Sequence, residues 1–195
     1  MEYEIHITVD SNDIEKFKKV CQKIGAKPVL IDVTSSKQLM TSSKHKGVDK
    51  EYVSELMWML RHLRGNGFHV SRSKIEIRPE KVKHKDFKYY ESHIRLTLPK
   101  DFDKTQLINL CAKNKFHLSR NLFKSDDVYD YQMITYKDKF LSLVEFNRII
   151  DNMKAELQRL NISFDKIEIE ECIEDSHEKL DHDWLNQKIA HQISG

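Results

Sequence analysis

The chain has 195 residues, 39% of them apolar and 33% charged, with a formal net charge of +2. That composition suits a soluble globular protein with a highly charged surface, and the charge balance is too even to argue for nucleic acid by itself. Five Gly and three Pro exclude long flexible linkers and glycine-rich phosphate loops, and no apolar run is long enough to span a membrane.

The first element is legible from its alternation. Ile5, Ile7 and Val9 share one face, with Glu4, His6 and Thr8 on the other, the period of a strand buried on one side. Asp10-Ser11-Asn12-Asp13 supplies helix-capping residues, and Ile14, Phe17, Val20, Cys21 and Ile24 mark a helical stripe that Gly25 closes. Val29, Ile31 and Val33 alternate as a second strand. A polar turn at Ser35-Ser36 leads to a short strand around Gln38–Ser42. Val53, Leu56, Met57, Leu60 and Leu63 form a second helical stripe, and Phe68–Arg78 is a closing strand. The order is β-α-β-β-α-β.

The second half repeats this order. His93–Leu98 is a strand, and a helix over 104–114 carries Leu107, Leu110 and Cys111. Two strands follow, at 116–123 and 129–136, around a polar turn at Ser125-Asp126-Asp127. Leu143–Leu160 is a long helix with Phe146, Ile149, Ile150, Met153 and Leu157 on its stripe, and Ser163–Glu170 is the closing strand. The halves also share wording. Lys74-Ile75-Glu76-Ile77 recurs as Lys166-Ile167-Glu168-Ile169, Glu4-Ile5-His6-Ile7 is echoed by Glu91-Ser92-His93-Ile94, and Gln38-Leu39-Met40-Thr41 by Gln132-Met133-Ile134-Thr135. Each half, at about 90–100 residues, is long enough to bury its own core.

The expected fold class is therefore α+β, with duplicated ferredoxin-like βαββαβ repeats and antiparallel sheets, each with one face open. The expected domains are a repeat over 1–79, a basic linker over 80–90, a second repeat over 91–170 and an acidic tail over 171–195. Trp184 of the tail is expected to pack back onto a repeat. Cys21 and Cys111 read as small buried core residues. With Cys172 the count is odd and no CxxC is present, so neither a disulfide framework nor a thiolate metal site is expected. No signal peptide is visible, which makes a reducing, cytoplasmic location the default.

Strand alternation places the candidate chemistry. Glu4, His6 and Thr8 fall on the open face of the first repeat, joined by Lys74, Glu76 and Arg78. His93, Arg95 and Thr97 fall on that of the second, joined by Lys166, Glu168 and Glu170. His117, Ser119 and Asn121 add to this second set, and Arg120 with Asn121 can fork onto a phosphate or base edge. Imidazoles, hydroxyls and cations together suit a phosphate, nucleotide or RNA segment. Open faces of antiparallel sheets are also normally polar. In the tail, Asp175, His177, Asp181, His182 and Asp183 match no metal template, so no metal and no cofactor is expected.

His-x-Ser/Thr occurs at His6-Ile7-Thr8, His69-Val70-Ser71 and His117-Leu118-Ser119. Two such motifs in duplicated halves resemble the two-histidine phosphoesterases. That resemblance implies a general base and a general acid acting on a cyclic phosphodiester, here His6 and His93. The chain departs from the pattern at His93-Ile94-Arg95, where no hydroxyl follows two residues on. The Glu-Ile-His-Ile-Thr-Val opening, His-Leu-Ser-Arg-Asn at 117–121 and Leu-Asp-His-Asp-Trp-Leu at 180–185 together resemble a group of uncharacterised bacterial proteins over most of the chain. This second resemblance implies no activity.

The expected function is a binding module for a phosphorylated ligand, a nucleotide or RNA. Its contacts would be His6, Thr8, His93, Arg95, His117, Ser119, Arg120 and Asn121. A two-histidine phosphodiesterase and a protein-interaction subunit are the alternatives. Expected partners are a nucleotide or RNA and further copies of the chain, but no membrane.

Overall fold

The computed structural model describes residues 1–33, 36–48, 51–80, 83–125 and 127–178. Ser35 of the first turn, Lys81 of the linker, Asp126 of the second turn and the tail from Leu180 onward, with Asp181, His182, Asp183 and Trp184, lie outside the described residues. The elements are β1 (Glu2–Asp10), α1 (Ile14–Lys23), β2 (Lys27–Val33), β3 (Ser36–Lys46), α2 (Glu51–Gly65) and β4 (His69–Ile77), then β5 (Tyr89–Pro99), α3 (Thr105–Lys113), β6 (His117–Ser125), β7 (Tyr129–Asp138), α4 (Leu143–Arg159) and β8 (Phe164–Asp175).

The strands hydrogen-bond in the cyclic order β1-β3-β2-β6-β7-β5-β8-β4, a closed barrel. This overturns the expected fold class. The protein is not a pair of ferredoxin-like repeats with separate antiparallel sheets and open faces. The physical reason is that alternation reports which side chains share a face, not which backbone edge finds a partner. A free edge leaves a row of unpaired N–H and C=O groups, and that demand for a partner leaves no mark on the alternation of side chains.

The chain divides into two compact units, Met1–Lys88 with Glu171–His177 and Tyr89–Glu170 with Glu178–Gly195. In the first unit β1 pairs antiparallel with β3 and β4, and β2 pairs with β3. Tyr3, Ile5, Ile7 and Val9 of β1 are buried with Phe17, Val20 and Cys21 of α1. Asp13 caps α1 by accepting from the Lys16 amide at 3.0 Å. Gly25 ends the helix at φ +64°, a conformation that costs a glycine little. Phe17 meets Phe68 edge-on, with ring centroids 5.6 Å apart. Burial pushes the Cys21 thiol up to about 12.

β8 runs on to Asp175 rather than stopping at Glu170, because Cys172 and Ile173 are core residues rather than tail. Glu171–Asp175 pairs with β4. The linker is also less free than its charge implies. Lys88 N donates to Cys172 O at 2.8 Å, and His84 N donates to Glu171 Oε1.

Glu171 is 1% exposed, and burial pushes its carboxyl above the ordinary glutamate value of 4.5 against the opposing pull of the His84 amide. The native state therefore keeps this proton to higher pH than the unfolded chain does. Stability from this group is present below the ordinary value and falls as pH rises through the raised one. Glu171→Gln keeps an oxygen for the His84 amide and removes the titration. Urea unfolding across a pH series should show a flatter profile above pH 4.5 in the variant. Parallel profiles would refute the assignment.

In the second unit β5 pairs with β7, and β7 pairs with β6. Tyr90, Ile94, Leu96 and Leu98 of β5 are buried with Leu107 and Cys111 of α3 and Phe146, Ile150, Met153 and Leu157 of α4. A capping box starts α4: the Glu145 amide donates to Ser142 Oγ at 3.3 Å, and Ser142 N donates to Glu145 Oε2 at 2.8 Å. The Ser142 hydroxyl and amide hold the Glu145 carboxyl below the usual range.

Candidate functional site

In the first unit, register sets His6 opposite Ser42 of β3 and Lys74 of β4. Its Nδ1 donates to Thr41 O at 3.3 Å, and its Nε2 lies 3.0 Å from Glu76 Oε2 and 3.6 Å from Glu4 Oε1. Lys74 Nζ is 2.8 Å from Glu76 Oε1, Lys44 Nζ is 3.3 Å from Glu4 Oε2, and Ser42 Oγ donates to Glu4 Oε1 at 2.6 Å. Thr8 is buried opposite Met40 and Arg72. This face is a mutually neutralised ion network, with Glu76 0% exposed. Desolvated charges of this kind hold together only because each has a partner. An anion approaching His6 would compete with Glu4 and Glu76 for the imidazole.

In the second unit, register sets His93 opposite Thr135, and Thr135 opposite His117. Directly paired residues share a face, so one row across β5, β7 and β6 reads His93–Thr135–His117. Neighbouring strands lie about 4.8 Å apart, which leaves about 10 Å between the two histidine backbones with the threonine hydroxyl midway. His93 Nδ1 meets Thr135 Oγ1 at 3.0 Å. Its Nε2 is 3.5 Å from Glu91 Oε1 and 3.8 Å from Glu170 Oε2. Ser119 lies two residues along β6 from His117, on the same face, opposite Met133.

The remaining expected contacts are placed otherwise. Arg95 forms a two-pronged pair with Asp165, Nε to Oδ1 at 2.6 Å and Nη2 to Oδ2 at 2.7 Å. That pair raises the guanidinium's pKa and holds Asp165 below the usual carboxylate range. Both donors facing Asp165 are thus withdrawn from a ligand. Arg120 alternates with Ser119 and so points to the opposite face, where it pairs with Gln132 in register and reaches Asp130 at 3.7 Å beside Lys104. Asn121 accepts from the Phe123 amide at 3.0 Å within a ladder irregularity, shaping the backbone.

Sequence reading missed Thr135, although a signal was present. The echo of Gln38-Leu39-Met40-Thr41 in Gln132-Met133-Ile134-Thr135 is one residue out of register. Thr41 faces Ile7 on the core side, 0% exposed, and accepts from the Ile7 amide at 3.0 Å. Ser42, not Thr41, is the residue opposite His6, as Thr135 is opposite His93. A one-residue slip exchanges the two faces of a strand. Each unit therefore carries Glu-x-His on its first strand and a hydroxyl opposite the histidine.

Sequence spacing also concealed a line of Ser43, His45 and Glu55. Ser43 Oγ is 2.8 Å from His45 Nε2, and His45 Nδ1 is 3.8 Å from Glu55 Oε1. Ser43 is 5% exposed, with its hydroxyl against Ile5 O and Met59 Sδ, and Tyr3 stacks on the imidazole. The line satisfies a polar spot beneath α2.

No family model matches the chain, and no curated protein does. Among solved structures it is similar to the acetolactate synthase small subunit of Thermotoga maritima, at 11% identity over 89% of this chain and 95% of that one, TM-score 0.32. It is also similar to a mutant chlorite dismutase of Candidatus Nitrospira defluvii, at 10% identity over 95% and 94%, TM-score 0.31. A third is the regulatory subunit of aspartate kinase from Thermus thermophilus, at 12% identity over 68% and 82%, TM-score 0.29. Likenesses this distant carry no argument about function. Among the described residues, no helix is long and apolar enough to cross a membrane.

Proposed function

We propose that the protein is a binding module for a nucleotide or a short RNA segment, held on the polar face of the second unit. The observation that carries this reading is the His93–Thr135–His117 row with Ser119 beside it. A bare phosphate would meet Glu91 and Glu170 as well as the imidazoles, which disfavours it. A nucleotide brings both kinds of group. Its phosphate oxygens suit the His117 and Ser119 donors, and its ribose hydroxyls and base amino groups suit the two carboxylates as acceptors.

Calorimetric titration with nucleoside monophosphates and short single-stranded RNA tests the reading. His117→Ala should weaken binding about tenfold or more, the scale of one lost charge-assisted hydrogen bond. His69→Ala should leave it unchanged, because that exposed ring is held by Asp10 Oδ2 at 2.7 Å in the other unit. Absence of binding across the panel would overturn the proposal. Turnover of a cyclic phosphodiester, abolished by His93→Ala, would replace it with the phosphodiesterase reading.

A further inference from the structure

Helix α2 has more apolar residues than its buried face can use. Tyr52, Leu56, Met59, Leu60 and Leu63 point inward and are buried. Val53, Met57 and Trp58 remain outside, at 48%, 41% and 39% exposed. The sequence pattern assigns Val53 and Met57 to the core stripe, but the helix turns them away from it. Val48 and Met1, 67% and 43% exposed, lie just before the helix, where the Gly47 carbonyl accepts from the Met1 ammonium at 2.8 Å. A helix apolar on both faces is ordinarily covered on both, and a contiguous exposed apolar patch rimmed by charge marks an interface.

Charge along α2 indicates what covers it. The first turn carries Glu51, held in place by accepting from the Val48 amide at 3.0 Å. The last turns carry Arg61, His62 and Arg64, all exposed. The helix is thus acidic at one end, apolar in the middle and basic at the other, a pattern complementary to itself when reversed. We infer that this face of α2 docks against α2 of a second copy of the chain, antiparallel, about a two-fold axis between Met57 and Trp58. That axis sets Met57 of one copy against Trp58 of the other, Ser54 against Arg61, and Glu51 against Arg64. Such an isologous contact repeats each pair twice and closes as a dimer. It does not depend on the nucleotide reading.

Sedimentation velocity of the full chain over a broad concentration range tests this, with tryptophan emission on dilution in a Trp184→Phe background, which leaves Trp58 as the one indole, as a second readout. A reversible monomer–dimer equilibrium is expected, with emission shifting to the red as the dimer dissociates. Met57→Lys should weaken the dimer about a hundredfold, because both copies then place a charge at the axis. Arg64→Glu should weaken it about tenfold by opposing Glu51 twice, and Glu51→Lys with Arg64→Glu should restore it. These positions are exposed, and unchanged circular dichroism would show that each variant folds. A monomer at every concentration overturns the inference, as does a dimer indifferent to Met57→Lys. A dimer lost with Met57→Lys but unmoved by the charge exchange overturns the antiparallel register.

Discussion

Asp175→Ala is expected to destabilise the protein by about 3–5 kcal/mol, because it leaves a buried guanidinium without its counter-ion. Arg72 Nε donates to Asp175 Oδ1 at 2.9 Å, and its Nη2 donates to Oδ2 at 2.6 Å. The Asp175 side chain is 0% exposed and that of Arg72 8%. At this depth added salt screens the pair little, so the loss should persist at high ionic strength. The pair also fastens the end of β8 onto β4, where Ser176 N donates to Ser73 O at 2.9 Å and Ser73 N to Ser176 Oγ at 2.8 Å. Urea unfolding measures the effect. Replacing both partners, Arg72→Met with Asp175→Leu, should recover part of the loss, since the buried charge goes but the His177 amide, which donates to Asp175 Oδ1 at 3.0 Å, loses its acceptor. A loss below about 1 kcal/mol for Asp175→Ala would mean that the pair is solvated in the native protein.

Phe146→Ala should cost a comparable amount, about 3–5 kcal/mol, through a cavity rather than a charge. Phe146 is fully buried on α4, with ring centroids 5.5 Å from Tyr90 and 5.4 Å from Tyr136. Tyr136 in turn lies 5.0 Å from Phe116. The ring joins the helix to both strands beneath it, so truncation removes apolar contact on several sides at once. Burial and the neighbouring Asp138 carboxylate raise the Tyr136 phenol above its ordinary value of 10.0. Opening a cavity beside it should admit water, weaken the near-ultraviolet dichroism of Tyr136 and lower its titration midpoint. Phe146→Leu, which refills most of the space, should lose clearly less. Equal losses for the two variants would count against the cavity account.

Local structure was readable because it depends on neighbours in sequence. The alternation of Ile5, Ile7 and Val9 marked β1, the Asp13 cap marked the start of α1, and the spacing of Phe146, Ile150, Met153 and Leu157 marked the buried face of α4. The same reasoning misplaced Val53 and Met57 of α2, where apolar residues run round the helix and periodicity cannot choose a face. It also ended β8 early, because Glu170, Glu171, Glu174 and Asp175 hide a strand inside an acidic run whose core residues are Cys172 and Ile173.

The candidate site was only partly legible for a related reason. His93, His117 and Ser119 could be named from alternation, since each strand announces its own polar face. Thr135 could not, because its importance depends on lying between two histidines from other strands. The repeated Gln-x-x-Thr wording pointed to Thr41 as its equivalent, one residue from Ser42, which holds that place. Arg95 and Arg120 looked available because sequence does not show that Asp165 and Asp130 stand beside them.

By itself, the sequence determined the order of the elements and the alternation of side chains along each strand, set by periods of two and 3.6 residues along the chain. Only the tertiary structure decided which strand edges pair, which residue stands opposite His6 and His93, and which charges are already answered. Those are relations between segments distant in the chain, and hydrogen-bond register and salt-bridge geometry exist only once the segments meet. The closed strand order is therefore compatible with the same repeated element order that suggested two open sheets.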